Sequence, residues 1–292
     1  MFHLAAQTKS GFRDMDRLIQ AMLTLLVSMT GMSGWAEQTL PRWEAGIGVG
    51  SLLQADYPGA DRSDTYTALF PFGIYRSARY TVDRGGVRGS LVGGESWGLG
   101  LSGGARAPVD SDDNPARRGM DDIDAQFELG PNLQWQLGRL QRGYLQLELP
   151  LRAVISLEDG RSLGTTMQPK LVYRQRWREW RAALSAGWTF GSQRYHEQFY
   201  SVLPAEVTAQ RRAYRAHAGQ TNSRISLSLS HRFKQHLFGF FVVYSNYDSA
   251  RNEGGDLLLR DNNINAGFVY TVMLAASKHR ISIDDAALNA EQ

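Results

Sequence analysis

Residues 126–155 read QFELGPNLQWQLGRLQRGYLQLELPLRAVI and alternate apolar with polar side chains almost without error. Leu133 and Trp135 fall on one parity and Gln134 on the other; the alternation resumes after an interruption at 138–143. Successive side chains of a strand point to opposite faces, so each half is predicted to be a strand with one apolar and one polar face. The pattern alone leaves open whether water or lipid meets the outer face.

Composition narrows the class of protein. The chain has 292 residues, 42% of them hydrophobic, with 30 glycines and no cysteine. The mean hydropathy of −0.35 excludes a multi-helix membrane protein. Without cysteine there is neither a disulfide framework nor a thiolate metal site. A formal net charge of +3 does not indicate a nucleic-acid binder, in spite of a pI near 9.1.

The N-terminal segment resembles an export signal rather than part of the fold. Arg13 and Arg17 precede a short apolar run at 19–32, and small residues stand at the −3 and −1 positions of a cleavage site expected after Ala36. This order is typical of a secretory signal, and the run is too short to be a spanning helix. We expect residues 1–36 to be a cleaved signal with an N-terminal extension.

After Pro41 the chain shows alternating segments and no good helix. The apolar positions of these segments are predicted to mark strands that follow one another without crossover helices, as in an antiparallel meander. They are Trp43, Ala45, Ile47, Val49 and Leu53; Tyr66, Ala68, Phe70, Phe72 and Ile74; Trp97, Leu99 and Leu101; the pair in 126–155; Met167, Leu171, Tyr173 and Trp177; Ala182, Leu184, Ala186 and Trp188; Ile225, Leu227 and Leu229; 237–245; and Ile264, Phe268 and Tyr270.

The connections between these strands alternate in length. Short ones occur at 77–79, 93–96, 138–142, 178–180 and 234–236, and long polar ones at 54–65, 108–123, 157–165, 193–221 and 249–261. Short periplasmic turns and long extracellular loops are typical of bacterial outer-membrane barrels, in which lipid meets the apolar face.

Eleven strands are evident, and an even number is needed to close such a barrel with both termini in the periplasm. Arg84-Gly85-Gly86 splits residues 80–92 into a short hairpin, which brings the count to twelve. The fold class is therefore an all-β transmembrane antiparallel up-and-down barrel over residues 37–274, located in the outer membrane of a Gram-negative bacterium.

Tryptophans support this topology, because indole rings favour the membrane interface. Five of them are predicted near the periplasmic strand ends, and Trp188, Tyr66, Tyr195 and Tyr244 near the outer interface. A soluble β-sandwich would explain the alternation, but neither the loop asymmetry nor this placement. The predicted periplasmic girdle is Trp43, Trp97, Trp135, Trp177 and Trp180.

Several motifs resemble those of the MipA/OmpV (MltA-interacting protein) family of outer-membrane proteins. They are GIGVG at 46–50, Asp56-Tyr57-Pro58-Gly59, TALFPFGIY at 67–75, the acidic 119–124 and GFVYTV at 267–272. The resemblance covers roughly 42–273, and the order and spacing of the motifs carry it. It implies an outer-membrane barrel without a catalytic residue set. Known roles in the family are a scaffold that contacts a lytic transglycosylase and a murein synthase, and an antigen or adhesin.

The C-terminus departs from that pattern. Barrels of this kind commonly end on an aromatic residue, whereas here about twenty further residues follow Val272. We expect residues 275–292 to form a periplasmic tail, disordered in the simplest interpretation and a tether to a partner in the other.

No constellation of residues indicates catalysis, a cofactor or a metal. The glycines of 46–50 alternate along a strand, whereas a dinucleotide loop must open a helix. The histidines lack metal-ligand spacing. Ser230 and His231 are adjacent on a strand, so they point to opposite faces and cannot act as a Ser–His pair; His231 is expected at the lipid interface. We expect a non-enzymatic protein.

Many of the residues predicted to face the lumen are charged. Charges in a low-dielectric wall must be paired or hydrated. They could form ion pairs that close a narrow lumen, which we favour, or line a pore that prefers anions. The set is Glu44, Arg106, Glu128, Glu148, Arg152, Lys170, Arg174, Arg176, Arg224 and Arg232.

The long loop at 193–221 combines arginine with aromatic side chains, the residue types that dominate binding hot spots. A basic outer loop could also meet the phosphates of lipopolysaccharide, and simple solvated loop charge is the competing interpretation. Nucleic acid is not expected as a partner. The predicted interaction surface is Arg194, Tyr195, Tyr200, Arg211, Arg212, Tyr214 and Arg215.

The sequence therefore favours a structural or scaffolding barrel that positions murein enzymes at the inner side of the outer membrane. A narrow anion-preferring channel is the alternative, followed by a surface adhesin that acts through the 193–221 loop. The expected surroundings are outer-membrane lipid and lipopolysaccharide.

Overall fold

The computed structural model describes residues 39–77, 80–83, 86–89, 92–94 and 96–282. The expected signal at 1–36 and the end of the expected tail, 283–292, lie outside the described residues. Within the described residues no helix combines the length and apolar character needed to span a bilayer.

Strands make up most of the described chain, with one short α-helix and a 3-10 turn in a long loop. The expectation that no helix follows Pro41 was wrong at that one place. The elements are β1 (Thr39–Pro41), β2 (Trp43–Ala55), β3 (Ser63–Arg76), β4 (Tyr80–Asp83), β5 (Gly86–Gly89), β6 (Val92–Gly93), β7 (Trp97–Arg106), β8 (Gln126–Leu140), β9 (Gly143–Ser156), β10 (Ser162–Met167), β11 (Lys170–Trp177), β12 (Trp180–Gly191), α1 (Gln193–Tyr200), the 3-10 turn (Pro204–Glu206), β13 (Gly219–Phe233), β14 (His236–Asn246), β15 (Asn262–Ala276) and β16 (Arg280–Ser282).

The strands close into an antiparallel ring. Neighbours pair in chain order, β15 pairs with β2, and β12 pairs with β13. β5 and β6 both pair with β7, and β10 and β11 both pair with β9 and β12, so each of these two pairs is one interrupted strand. Pro169, which has no N–H to donate, follows β10 at the second interruption. Counted in this way, the described residues form the predicted twelve-stranded barrel, and the predicted hairpin at 80–92 is confirmed.

Exposure follows the predicted parity on most strands. On β2, Ile47 is 57% exposed and Glu44 only 3% exposed, as expected if lipid meets one face and the lumen the other. On β8, the leucine parity is exposed and Asn132 and Gln134 are buried. The apolar face is therefore on the outside of the barrel.

The strand β3 has the opposite orientation to the one predicted from its aromatic parity. Phe70 is the register partner of inward-facing Gly48, so Phe70 and the rest of its parity face the lumen, and Leu69 is 83% exposed. Alternation could not decide the face, because both parities of TALFPFGIY are apolar. The glycines at 48 and 50 admit the Phe70 ring: a Cβ on Gly48 would lie 2.6 Å from it. These glycines belong to a strand and not to a dinucleotide loop.

The predicted periplasmic girdle lies at the short-turn ends of the strands. Trp97 is the register partner of Trp135, and Trp177 stacks on Trp180 with 6.3 Å between ring centroids. His231 packs on Trp180 at 4.5 Å, in agreement with an interfacial position. Trp188 is exposed near the outer ends of the strands, as predicted.

The other predicted members of the outer girdle are placed differently. Tyr66 shares the lumen-facing parity of β3 and donates a hydrogen bond to Pro108 O at 3.0 Å. Tyr195 is buried in helix α1, and Tyr244 is buried on β14. The tertiary packing of the loops, described below, removes Tyr195 from the lipid interface.

The C-terminal segment differs from the expected disordered tail at its beginning. Residues 275 and 276 belong to β15, and β16 pairs antiparallel with β1. Arg42 N donates to His279 O at 3.0 Å, and Ser277 N donates to Trp43 O at 2.8 Å. The chain on either side of the barrel is therefore joined by a short two-stranded sheet, at the same end as the short turns.

Candidate functional site in the lumen and the extracellular loops

The periplasmic end of the lumen contains a buried cluster of one carboxylate and two guanidinium groups. Arg76 Nη1 lies 2.6 Å from Glu44 Oε2, and both side chains are 2% exposed. Arg232 Nη1 donates to Glu44 Oε2 at 2.8 Å, and its Nη2 contacts Oε1. Arg76 was missed in the sequence because it shares the parity of β3 that was assigned to lipid. The cluster joins β2, β3 and β13 across the lumen.

A second cluster lies on adjacent strands in the middle of the wall. Glu148 Oε2 is 2.9 Å from Lys170 Nζ, and Glu148 Oε1 is 2.5 Å from Arg174 Nη2. Arg174 also donates to Gln146. Lys170 and Glu148 are register partners on β11 and β9, so the strand pairing itself brings their charges together.

A third ion pair joins Arg152 and Glu128, with 3.1 Å between Nη1 and Oε2. Arg152 also donates through Nε to Ser102 Oγ at 3.0 Å. The structure thus brings each of the three predicted lumen carboxylates against at least one predicted cation.

Of the three remaining predicted lumen cations, two donate hydrogen bonds to backbone carbonyls and one does not. Arg106 donates to the carbonyls of Ala55 and Asp56. Arg176 Nε donates to Arg178 O at 3.4 Å. The Arg224 side chain makes no hydrogen bond and no ion pair within the described residues, although it interacts electrostatically with Glu128.

A polar cavity of about 210 Å³ lies inside the wall beside the Glu148 and Arg152 pairs. Its lining is mostly hydroxyl, amide and charged side chains. The lining residues are Leu101, Ser102, Asn132, Gln134, Glu148, Arg152, Lys170, Val172, Arg174, Ala183, Ser185, Ser226 and Ser228.

At the other end of the barrel, the long loops pack into a hydrophobic core of their own. We call the segments 56–62, 107–125, 157–161, 192–218 and 247–261 the extracellular cap. Apart from Val154 and Leu163, which lie on neighbouring strands, its core residues come from four of these loops. The core comprises Tyr57, Ala60, Val109, Ile123, Val154, Leu163, Tyr195, Phe199, Tyr200, Val202, Ala216 and Leu257.

The helix α1 lies across the outer end of the lumen. Ser192 caps its N-terminus by accepting a hydrogen bond from Tyr195 N. The helix approaches the wall where side chains are absent: a Cβ on Gly164 would lie 2.7 Å from Tyr195 N, and one on Gly191 would lie 2.8 Å from His196 Nε2. Small wall residues on β10 and β12 therefore position the helix.

On its inner side α1 meets lumen-facing groups of other strands. The Arg106 guanidinium lies 5.5 Å from the centroid of the Phe199 ring, and Gln126 Nε2 donates to Gln198 Oε1 at 2.7 Å. Tyr200 OH donates to Pro58 O, in the loop that follows β2. Because these partners come from β7, β8 and the β2–β3 loop, the helix covers the opening rather than standing beside it.

Two buried arginines satisfy loop carbonyls inside the cap. Arg117 donates to Phe199 O at 3.1 Å and to Asp121 O at 2.9 Å, and its guanidinium lies 5.6 Å from the Tyr57 ring centroid. Burial lowers the pKa of Arg117. Arg211 donates to Ala116 O at 2.7 Å and so ties two loops together. No periodic pattern in the sequence marked Arg117, which lies in an acidic loop.

Two of the motifs that carried the family resemblance, 56–59 and 119–124, lie in this cap. Tyr57 is fully buried, and Asp56 accepts a hydrogen bond from Asn114 Nδ2 at 2.6 Å. Burial raises the pKa of Asp56. In the acidic 119–124 segment, Asp124 pairs with Arg161 at 2.7 Å, and the hydrogen bonds that it accepts lower its pKa although desolvation opposes them. These residues close the loops on one another.

The predicted interaction surface on the 193–221 loop is therefore only partly a surface. Tyr195, Tyr200 and Arg211 are buried, because the cap core and the loop carbonyls take them up. Arg194 and Arg215 are exposed. Arg212, also exposed, pairs with Asp256 at 2.7 Å, and Tyr214 is half-buried and donates to Asn252 Oδ1.

The buried side chain of His196 should make the stability of the cap depend on pH. Its Nδ1 lies 2.6 Å from His217 O and must donate to it, so Nε2 accepts from Thr221 Oγ1 at 2.8 Å in the neutral ring. Burial lowers the pKa of His196. In an opened loop His196 would take up a proton near its ordinary pKa of about 6.5, whereas in the closed cap it does so only at lower pH. The contribution of neutral His196 to cap stability is therefore full above about pH 6.5 and is lost as the pH falls towards the lowered pKa. Hydrogen exchange of amides 193–218, corrected for intrinsic rates, should therefore accelerate between pH 7 and pH 5.

Replacement of His196 by Gln should remove most of that acceleration, and His217→Gln serves as the control because the His217 side chain is exposed. The same loosening in both variants would show that another group titrates.

Comparison with solved structures returns outer-membrane proteins at low similarity. A bacterial polysaccharide outer membrane secretin is 11% identical, with a TM-score of 0.37, and the match covers 80% of this chain and 99% of that one. An outer membrane channel from Pseudomonas putida F1 is 12% identical, with a TM-score of 0.40, and the match covers 84% of this chain and 100% of that one. The outer membrane protease OmpT from Escherichia coli is 11% identical, with a TM-score of 0.30, and the match covers 83% of this chain and 97% of that one. At these scores we transfer nothing from them.

No curated protein matches the chain in a sequence search. A family model does: the one described as MltA-interacting protein MipA matches residues 47–271. That span runs from the first barrel strand to the last and includes the whole cap. The chain therefore belongs to the MltA-interacting protein MipA family of Gram-negative outer-membrane proteins.

Proposed function

We propose that this barrel is a non-enzymatic scaffold that presents a periplasmic surface to cell-wall enzymes. The observation that carries the proposal is the obstructed interior: the Glu44–Arg232 pair joins non-adjacent strands at the periplasmic end, the Glu128 and Glu148 pairs stand on the inner wall, and α1 covers the outer opening. A barrel closed in this way acts through its surfaces. The family description, an MltA-interacting protein, suggests a murein enzyme as the partner.

The periplasmic side offers a basic surface for that contact. Exposed cations stand on the turns and beside the β1–β16 sheet, while Glu179 is the one acidic residue of the described turn segments 138–142, 178–180 and 234–236. The Arg139 guanidinium lies 5.0 Å from the Tyr144 ring centroid and Lys234 Nζ lies 5.4 Å from that of Phe233, so both are held near the wall. An enzyme with an acidic face fits such a rim. Its cations include Arg42, Arg139, Arg178, Lys234 and Lys278.

Affinity capture of a purified lytic transglycosylase or murein synthase by the folded barrel tests the proposal. Reversal of charge at Arg139, Arg178 and Lys234 to Glu should weaken capture at least tenfold, because complementary charge is replaced by repulsion. Reversal of Arg194 and Arg215, which are exposed on the cap, is the matched control and should leave capture unchanged. Equal capture by all three proteins, or none by the parent barrel, would contradict the proposal.

A separate variant that ends after Ala276 removes β16 and tests whether the terminal sheet contributes. A loss of capture with this variant alone would move the contact from the turns to the sheet.

The second candidate function is a narrow anion-preferring channel, and the unpaired Arg224 favours it. In planar bilayers with a salt gradient we expect the folded barrel to be silent. Anion-selective steps that decrease when Arg174 and Arg224 are changed to Gln would replace the scaffold proposal with the channel.

An adhesin that acts through the 193–221 loop would have to use Arg194, Arg212 and Arg215, the exposed arginines of the predicted loop surface.

A further inference from the structure

The lumen cavity has more positive than negative charge around it. Three cations and one carboxylate line it, and Arg152 is balanced by Glu128 just outside the lining. Arg224 stands next to this group and interacts electrostatically with both Lys170 and Arg152. Among the described residues, four cations therefore face two carboxylates. An excess of two charges in a low-dielectric wall is costly unless anions or water compensate it, and an anion does so with opposite charge.

The cation best placed to bind such an anion is Lys170. Its ammonium carries three N–H donors, and the bond to Glu148 Oε2 uses one. Although the residue faces the lumen, 29% of the side chain is accessible, and it lines the cavity. On β12, Gly187 is the register partner of both Lys170 on β11 and Arg224 on β13. Because glycine has no side chain, the space between the two cations is left open.

An unsatisfied acceptor points to a second feature of the ligand. Asn132 lines the cavity and is 5% exposed, yet its Oδ1 has no hydrogen-bond partner in the described structure. A buried acceptor without a donor costs free energy, so a hydroxyl donor at this position would be favourable. Ser228 and the bonded pair Ser185 and Ser226, 2.7 Å apart, extend the same wall with hydroxyl groups.

We infer that this cavity is a binding site for a small hydroxylated anion of about monosaccharide size. Lys170, with Arg152 and Arg224 behind it, binds the acidic group, and Asn132 Oδ1 with the serine hydroxyls binds the hydroxyl groups. A cavity of about 150 Å³ holds benzene, so about 210 Å³ suits one sugar acid and excludes an oligosaccharide. The site is independent of the scaffold proposal, since it uses the interior and no periplasmic surface.

Titration calorimetry of the folded barrel at low ionic strength tests this site. Glucuronate and glycerol 3-phosphate probe carboxylate and phosphate forms of the same chemistry, glucose lacks the charge, and acetate lacks the hydroxyls. We expect one or both hydroxylated anions to bind at least tenfold more tightly than glucose or acetate. Each probe is also included during refolding, so that the closed cap cannot exclude it.

Lys170→Gln should weaken binding at least tenfold while Glu148 keeps its pair with Arg174. Asn132→Ala should weaken glucuronate but leave acetate unchanged, and Arg139→Gln, on an exposed turn, is the control. Heat-dependent electrophoretic mobility verifies folding of each variant. Absence of saturable binding to any anion in both protocols, or binding that Lys170→Gln does not alter, would overturn the inference.

Discussion

Replacement of Glu44 by Gln is expected to destabilise the barrel by about 3–5 kcal/mol, the usual cost of removing one partner of a buried ion pair. The change keeps the shape of the side chain but leaves Arg76 and Arg232 next to each other without the carboxylate that they share. Arg76 retains its hydrogen bond to Pro41 O at 3.0 Å, which satisfies a donor and not the charge. Denaturant unfolding from lipid vesicles, followed by tryptophan fluorescence, measures the effect.

A matched change, Glu158→Gln on an exposed loop, should alter stability by no more than about 0.5 kcal/mol. Adding Arg232→Met to Glu44→Gln should recover part of the loss, because it removes one of the two uncompensated cations. A loss below about 1 kcal/mol in the single variant would mean that water in the lumen compensates the arginines, and the cluster would then not hold the lower barrel closed.

Replacement of Phe199 by Ala should open the extracellular cap. The ring is fully buried at the centre of the cap core and lies against Arg106 at the outer end of the lumen. Truncation of a buried Phe typically costs about 3–5 kcal/mol, and here the loss falls on the loops because the wall retains its strand pairing. Hydrogen exchange and proteolysis of 192–218 should accelerate at least a hundredfold, with the heat-dependent mobility of the barrel unchanged.

Leu203→Ala is the control for this change, since Leu203 lies in the same loop but is 58% exposed. Conductance in planar bilayers that appears only in the Phe199 variant would show that the cap, rather than the ion pairs, closes the lumen. Loop exchange at the parent rate would contradict the role of Phe199 as the centre of the cap.

The sequence by itself determined the barrel. The evidence for it is local or periodic: the alternation over 126–155, the two classes of turn length and the positions of the tryptophans. A closed sheet with lipid outside is the arrangement that explains all three. The twelfth strand followed from the parity of the count, and the Arg84-Gly85-Gly86 break located it. The partners of Glu128 and Glu148 were also within reach, because antiparallel register places inward residues of neighbouring strands side by side.

Only the tertiary structure decided the face of β3, the pairing of Glu44 with Arg76 and the conversion of polar loops into a cap. In β3 both sets of alternating residues are apolar, so the sequence pattern does not say which set faces the lumen. Phe70 faces it because the absence of a side chain at Gly48 leaves space for the Phe70 ring. Tyr57, Ile123, Phe199 and Leu257 lie far apart in loops without periodicity, and their burial depends on contacts between loops that the barrel brings together. Such long-range contacts leave no repeating signal in the chain, since each loop buries its few apolar residues only against the others.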